Sequence, residues 1–207
     1  IEIINNYRDK IKTFISEPDG GIYDAMNKGI MHSNGDIIGI LNSDDYFYPD
    51  ALNTVKNYFE NEKNLDFLFG SVQKYNVQYG YHPEKIYRTF GMYSSHSVGF
   101  FIKYTSQKKV GYYNTKYKYS ADYDLFYRLI VKFNMKGLAT KKNEILGYFG
   151  PYGISSKIKY IDYLNENTQI RLDNNQNRLL VWCIHYLRFS KRLFRIIKER
   201  KIKDYLE

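Results

Sequence analysis

One cysteine, four prolines and no long uncharged apolar run set the first limits on this chain of 207 residues. A lone thiol, Cys183, leaves no partner for an intrachain disulfide and cannot build a cysteine-based zinc site, so a reducing, cytoplasmic setting is the simpler expectation. No HxxxH or Cys/His spacing suggests zinc either. The longest uncharged apolar stretch near the C-terminus, residues 179–187, is far shorter than the roughly 20 residues a helix needs to cross a bilayer, and no N-terminal stretch reads as a signal peptide. The expectation is a protein that touches the inner face of a membrane without crossing it. Acidic residues are also the minority, 22 against 31 Lys and Arg, for a formal charge of +9.

What is present argues for a folded domain. With 43% hydrophobic and 18% aromatic residues, the chain can bury a substantial core. Its 23 tyrosines suit half-buried positions, where the ring packs and the hydroxyl finds a partner. The positive charge is concentrated: residues 178–201 carry eight cations against Glu199 alone, +7 of the total +9. Such an imbalance suits nucleic acid, anionic lipid or phosphorylated ligands alike. In the same segment Leu179, Trp182, Tyr186, Phe189, Leu193 and Ile197 recur at helical steps, with Arg188, Lys191, Arg192, Arg195 and Lys198 on the opposing side. This pattern predicts a helix that either lies on an anionic membrane face or packs its aromatic stripe on the preceding domain.

The chain opens on Ile1 inside a helix-like segment, IEIINNYRDK, and reads as a piece without a preceding strand. A short strand, KTFIS (residues 12–16), leads through the loop EPDGG to a helix, IYDAMNKGIMHS, closed by Gly35. The buried-strand pattern DIIGIL (residues 36–41) ends in the turn NSDD, and Pro49-Asp50 opens a helix whose Leu52, Val55 and Phe59 share a face. Strand patterns follow at residues 65–75 and, half-buried by its alternation, at 97–104. Ser120 is placed to cap the helix ADYDLFYRLIVKF. The order strand, helix, strand, helix predicts parallel α/β, with extra antiparallel strands beside that sheet. A Gly/Pro cluster between Tyr148 and Lys157 divides a domain of residues 1–155 from a helical extension, 156–207.

Asp44 and Asp45 follow a buried strand and precede a helix, which places them where open α/β sheets bind ligands. Two adjacent carboxylates there suit Mg²⁺ or Mn²⁺ shared with phosphates; a solvated turn is the other explanation. The surrounding run, SEPDGGIYDAMNKGIMHSNGDIIGILNSDDYFYPDAL (residues 16–52), resembles family 2 glycosyltransferases of the GT-A fold. Weaker resemblance covers residues 96–101 and the segment GYYNTKYKYSADYDLFYRL.

The resemblance implies a Rossmann-like mixed sheet flanked by helices, here without the family's first βαβ unit. It implies an inverting transferase acting on a nucleotide-sugar donor and a saccharide or lipid-linked acceptor in surface polysaccharide or glycolipid synthesis. Asp45 matches the metal-coordinating acid and Asp44 its donor-facing neighbour. Asp122 matches the catalytic base, although a first-turn helix acid is equally explained by the macrodipole. Asp19, Asp24, Asn27 and Lys28 line the corresponding donor side, with Lys28 a phosphate or loop partner. His96, Asp124 and Arg128 fall on the acceptor side, while the spacing of Asp124 and Arg128 also suits an exposed helix pair. Gly153-Ile154-Ser155 resembles a loop closing over the site. A sugar nucleotidyltransferase shares the architecture and metal use, and a non-catalytic protein binding anionic lipid or nucleic acid would account for the basic tail alone.

Overall fold

In the computed structural model, residues 2–87, 92–95, 97–150 and 158–206 are described, with the backbone alone over 199–206. The helices are α1 (Glu2–Asn5), α2 (Ile22–His32), α3 (Ala51–Asn61), α4 (Tyr104–Val110), α5 (Ala121–Tyr127), α6 (Tyr160–Asp173) and α7 (Arg178–Leu206). Strands β1 (Ile37–Gly39), β6 (Phe100–Lys103), β3 (Phe67–Phe69) and β7 (Gly137–Ala139) form one sheet, in the order β1-β6-β3-β7. A second sheet has the order β2 (Tyr46–Phe47), β8 (Ile145–Tyr148), β4 (Ser71–Gln73), β5 (Val77–Gln78).

The central strands of the first sheet, β3 and β6, are buried on both sides, and their alternation shows how. Phe67 and Phe69 of β3 and Phe100 and Ile102 of β6 join the larger core with Tyr23, Met26 and Ile30 of α2, the apolar residues of α5 and Ile170 of α6. Leu68 and Phe101, pointing the other way, join Ala51, Val55 and Phe59 of α3. A strand covered on both faces reads as a continuous apolar run, because neither face can be polar. The half-buried expectation for 97–104 is thus corrected: Phe100, Phe101 and Ile102 are all buried.

Other departures have equally local causes. β6 runs antiparallel between β1 and β3, which run parallel to each other and to β7, so the sheet is mixed as expected but its antiparallel strand lies inside it rather than beside it. The segment 12–16 forms no strand, and Ile15 is exposed. The single strand expected over 65–75 is broken at Gly70 into β3 and β4, which enter different sheets. On α3 the buried face is Ala51, Val55 and Phe59, leaving Leu52 60% exposed.

Beyond the Gly/Pro cluster, whose residues 151–157 lie outside the described ones, both elements are helical, as the pattern expects. α6 is built into the domain rather than appended to it: Leu164 and Ile170 are buried, and Arg171 Nε donates to the Tyr123 hydroxyl at 3.1 Å. α7 lies along α6 through Val181, His185, Arg188 and Arg192, an i, i+4, i+7, i+11 spacing. The aromatic stripe Leu179, Trp182, Tyr186, Phe189, Leu193 and Ile197 is exposed, so it does not pack on the domain.

Candidate functional site

Beyond β1 the chain passes through Ile40 and Leu41 into Asn42-Ser43-Asp44-Asp45, a turn in which the Asp45 N–H donates to the Asn42 carbonyl at 3.1 Å. Asp45 is buried. Its Oδ2 accepts the Ser97 hydroxyl at 2.7 Å and its Oδ1 accepts the Gly150 N–H at 2.8 Å. Asp44 beside it is exposed. Gly150 is required by close approach, since a Cβ there would lie 2.7 Å from both the Asp44 carbonyl and its carboxylate. The end of β8 can therefore close over the turn only with glycine at that place.

Facing this acidic turn is the start of α5. Asp122 is buried; Oδ1 accepts the Tyr23 hydroxyl at 3.0 Å and Oδ2 the Tyr93 hydroxyl at 2.6 Å. Burial, followed by the neighbouring carboxylate, raises the pKa of both phenols far above the ordinary tyrosine value. Both hydroxyls consequently stay protonated and act as donors to Asp122. The expected Ser120 side-chain cap is absent: its backbone carbonyl accepts the Tyr123 and Asp124 N–H groups, while its Oγ is buried without a hydrogen-bond partner among the described residues.

Asp44, Asp45 and Asp122 line one cleft of about 250 Å³, together with Lys74, Lys118, Ser120, Phe149, Gly150 and Tyr163. Its two walls are the β1 turn with the end of β8, and the lead into α5 with α6. Among the described residues no group of three or more His, Cys, Asp or Glu side chains could hold a metal ion.

These observations meet a clear match: the model of the family described as "Glycosyl transferase family 2" covers residues 1–129. The chain belongs to glycosyl transferase family 2. Chondroitin synthase of Pasteurella multocida is 28% identical over 194 residues, covering 90% of this chain and 19% of that protein, so the chain spans about a fifth of that relative's length. An uncharacterized glycosyltransferase of Mycobacterium tuberculosis is 62% identical over 38 residues, 18% of this chain and 14% of that protein. Residues 1–349 of S. aureus TarS in complex with UDP-GlcNAc superpose with a TM-score of 0.60 at 13% identity, over 89% of this chain and 57% of that one. That likeness establishes the GT-A fold.

Within this family 2 chain, the remaining sequence-expected residues fall elsewhere. Asp19 and Lys28 border a separate depression with Lys12 and Phe14. Asp19 accepts the Gly21 N–H at 2.9 Å, and Asp24 accepts the Gly20 N–H at 2.9 Å, a bond that leads in lowering its pKa. Lys28 is bound to Glu17 at 2.7 Å, the first cause of its raised pKa, and donates to the Pro18 carbonyl. Asn27 is buried with its amide spent on the Tyr113 backbone, at 2.8 and 2.9 Å. None of these four lines the cleft. Asp124 and Arg128 do not line it either. They form a pair at 2.9 Å between the buried Asp124 and the half-buried Arg128 rather than an exposed one; Asn174 donates to Asp124, and Arg128 also reaches the Val110 and Tyr112 carbonyls. His96 and Gly153-Ile154-Ser155 lie outside the described residues.

The sequence pattern had singled out none of Tyr23, Tyr93, Ser97, Lys74 or Lys118. Tyr23 lies inside the IYDAMNKG motif and Ser97 beside His96, but what each side chain holds is 99 and 52 residues away, Asp122 and Asp45 respectively.

Proposed function

We propose that the chain is the catalytic part of an inverting glycosyltransferase, moving a sugar from a nucleotide-sugar donor to an acceptor hydroxyl. The observation that carries this is the pairing, across one cleft of a family 2 fold, of the Asp44-Asp45 turn with a buried carboxylate, Asp122, held by two hydroxyl donors. An acceptor hydroxyl is a poor nucleophile near neutral pH. Asp122 takes its proton as the oxygen bonds to the anomeric carbon, and the bond from that carbon to the nucleoside diphosphate breaks. With one displacement and no covalent enzyme intermediate, the anomeric configuration inverts. Tyr23 and Tyr93 orient the carboxylate and keep it ready for that proton.

A divalent ion, Mg²⁺ or Mn²⁺, fits this site in a restricted way. The oxygens of Asp44 and Asp45 are hard ligands, yet Asp45 already accepts two hydrogen bonds and no third acidic or imidazole ligand stands with them among the described residues. Such a set suits an ion that arrives with substrate phosphates and keeps its waters. Bound there, the ion would stabilise the charge of the departing diphosphate.

The donor class is supported by the solved complex of TarS with UDP-GlcNAc, and a polysaccharide or glycolipid product by the likeness to a chondroitin synthase. The exposed apolar face of α7, on the most basic part of the chain, supports work at an anionic membrane surface with a saccharide or lipid-linked acceptor. No described helix is long and apolar enough to cross a membrane.

The test is nucleoside diphosphate release from a panel of nucleotide-sugars, with Mg²⁺ or Mn²⁺ and with excess chelator. Release that needs the ion and is lost in Asp45→Asn is expected. Pyrophosphate release from a nucleoside triphosphate, with none of the sugar nucleotides turned over, would assign the cleft to nucleotidyl transfer instead.

A further inference from the structure

The wall that carries Asp122 presents two polar groups to the cleft that the reaction above does not use. Ser120, two residues before Asp122, is 2% exposed, and its Oγ has no hydrogen-bond partner among the described residues. A buried hydroxyl left unpaired costs free energy unless a ligand satisfies it. Lys118, four residues before Asp122, lines the same cleft and makes no ion pair among the described residues.

Lys118 is held in place from behind. The backbone N–H groups of Lys118 and Tyr119 both donate to the Glu166 carboxylate of α6, each at 2.7 Å. That two-pronged clamp fixes the backbone from which the ammonium extends and leaves the ammonium itself uncommitted to Glu166. On the opposite wall Lys74 lies over the Phe149 ring at 4.6 Å, beside Gly150 and the Asp44-Asp45 turn. Lys74 thus stands on the wall of the Asp44-Asp45 turn and Lys118 on the wall of Asp122.

We infer that Lys118 and Ser120 read an anionic saccharide acceptor, whose carboxylate or phosphate meets the Lys118 ammonium while a ring hydroxyl satisfies Ser120. This rests on the glycosyl-transfer reading and names its acceptor class. The Lys118 ammonium lies 5.6 Å over the Tyr119 ring and otherwise faces solvent, so a neutral acceptor draws nothing from its charge. An anionic one gains a charge-assisted hydrogen bond on the wall where the proton is removed.

The test is a binding measurement, separate from turnover. Methyl glucuronide, glucose 6-phosphate and methyl glucoside are titrated into the protein at low salt and followed by NMR. The glucuronide or the sugar phosphate should bind about tenfold more tightly than the neutral glycoside, and whichever wins identifies the acid as carboxylate or phosphate. Lys118→Ala should remove that preference and Lys118→Arg largely keep it, the lysine being exposed and its replacement harmless to folding. Ser120→Ala should weaken all three probes alike. Equal binding of charged and neutral probes, no binding of either anion, or a Lys118→Ala defect confined to nucleoside diphosphate would overturn the inference. Ion-dependent release of nucleoside diphosphate alongside any of those results leaves the transferase reading standing, whereas its absence sinks that reading independently.

Discussion

Asp122 and Asp124 sit two residues apart on one short helix, both buried, and are paired in opposite ways. Asp124 faces a guanidinium at 2.9 Å and a carboxamide at 2.9 Å, so its charge is neutralised inside the domain. Asp122 lines the cleft and accepts from two phenol hydroxyls, which orient its carboxylate. The ion pair ties Asp124 to the interior of the domain, whereas the phenol donors leave the Asp122 carboxylate on the cleft wall. The contrast separates, on one turn of α5, a structural tie from the carboxylate proposed as the base.

The sharpest way to break the comparison is to exchange each aspartate for asparagine. Asp122→Asn is expected to lower sugar transfer by about 10²–10⁴-fold, the usual contribution of a general base. Its unfolding free energy should change by no more than about 1–2 kcal/mol, since the amide still accepts hydrogen bonds. Asp124→Asn should do the reverse, costing about 1.5–3 kcal/mol of stability by removing the charged partner of the half-buried Arg128. Urea unfolding and transfer assays on both variants measure this. Equal losses of activity at equal stability would erase the distinction.

The same contrast shows what can be read from a linear chain. Asp44, Asp45 and Asp122 were legible because each sits in a contiguous motif at the edge of a periodic element. Their supports were not: Ser97 and Gly150 reach Asp45 from 52 and 105 residues away, and Tyr23 reaches Asp122 across 99. Asp124 matched a motif as well as Asp122 did, and only packing shows that it turns toward Arg128. The place of the antiparallel strand was hidden for a similar reason, because its insertion between two parallel ones leaves the apolar pattern of all three unchanged. On α7 the stripe itself was legible but its direction was not. Amphipathicity fixes two faces, and here the body receives the side with Arg188 and Arg192: the Tyr160 hydroxyl donates to the Arg188 carbonyl and the Arg192 guanidinium lies over the Tyr160 ring.

A second pair of faces can be separated on α7 itself. Leu187 and Phe194 point outward at 61% and 78% exposure, whereas Val181 is buried toward the body. Affinity for anionic vesicles, read by sedimentation, should fall by at least about 10²-fold for the double variant Leu187→Glu, Phe194→Glu. Each change removes on the order of 1.5–3 kcal/mol of apolar burial and adds a repelled charge. Binding by the unaltered chain should weaken with salt and be poor on neutral vesicles. Unchanged partitioning of the variant would free that face for a protein partner.

The smallest expected effect concerns an acid that, like Asp124, ties α6 to the α5 lead, but at the surface. Asp173 on α6 accepts from Lys116 Nζ at 2.7 Å, from the Tyr117 hydroxyl at 2.6 Å and from Gln169 at 2.7 Å. Lys116 first, then Tyr117, pull its pKa from 3.8 to about 2. A depressed carboxylate pKa adds stability that is complete above the unfolded-state value and is lost as the pH falls through the folded one, so the window lies between 3.8 and about 2. With Lys116 well exposed, solvent screens the pair, and the contribution should be about 1 kcal/mol or less. Subtracting the urea stability of Asp173→Asn from that of the unaltered chain cancels the other carboxylates and isolates this one. The difference should be flat from pH 7 to near pH 4 and shrink below it. A difference that holds steady down to pH 2, or grows, would show that Asp173 secures the α5 lead by shape and hydrogen bonding rather than by its charge.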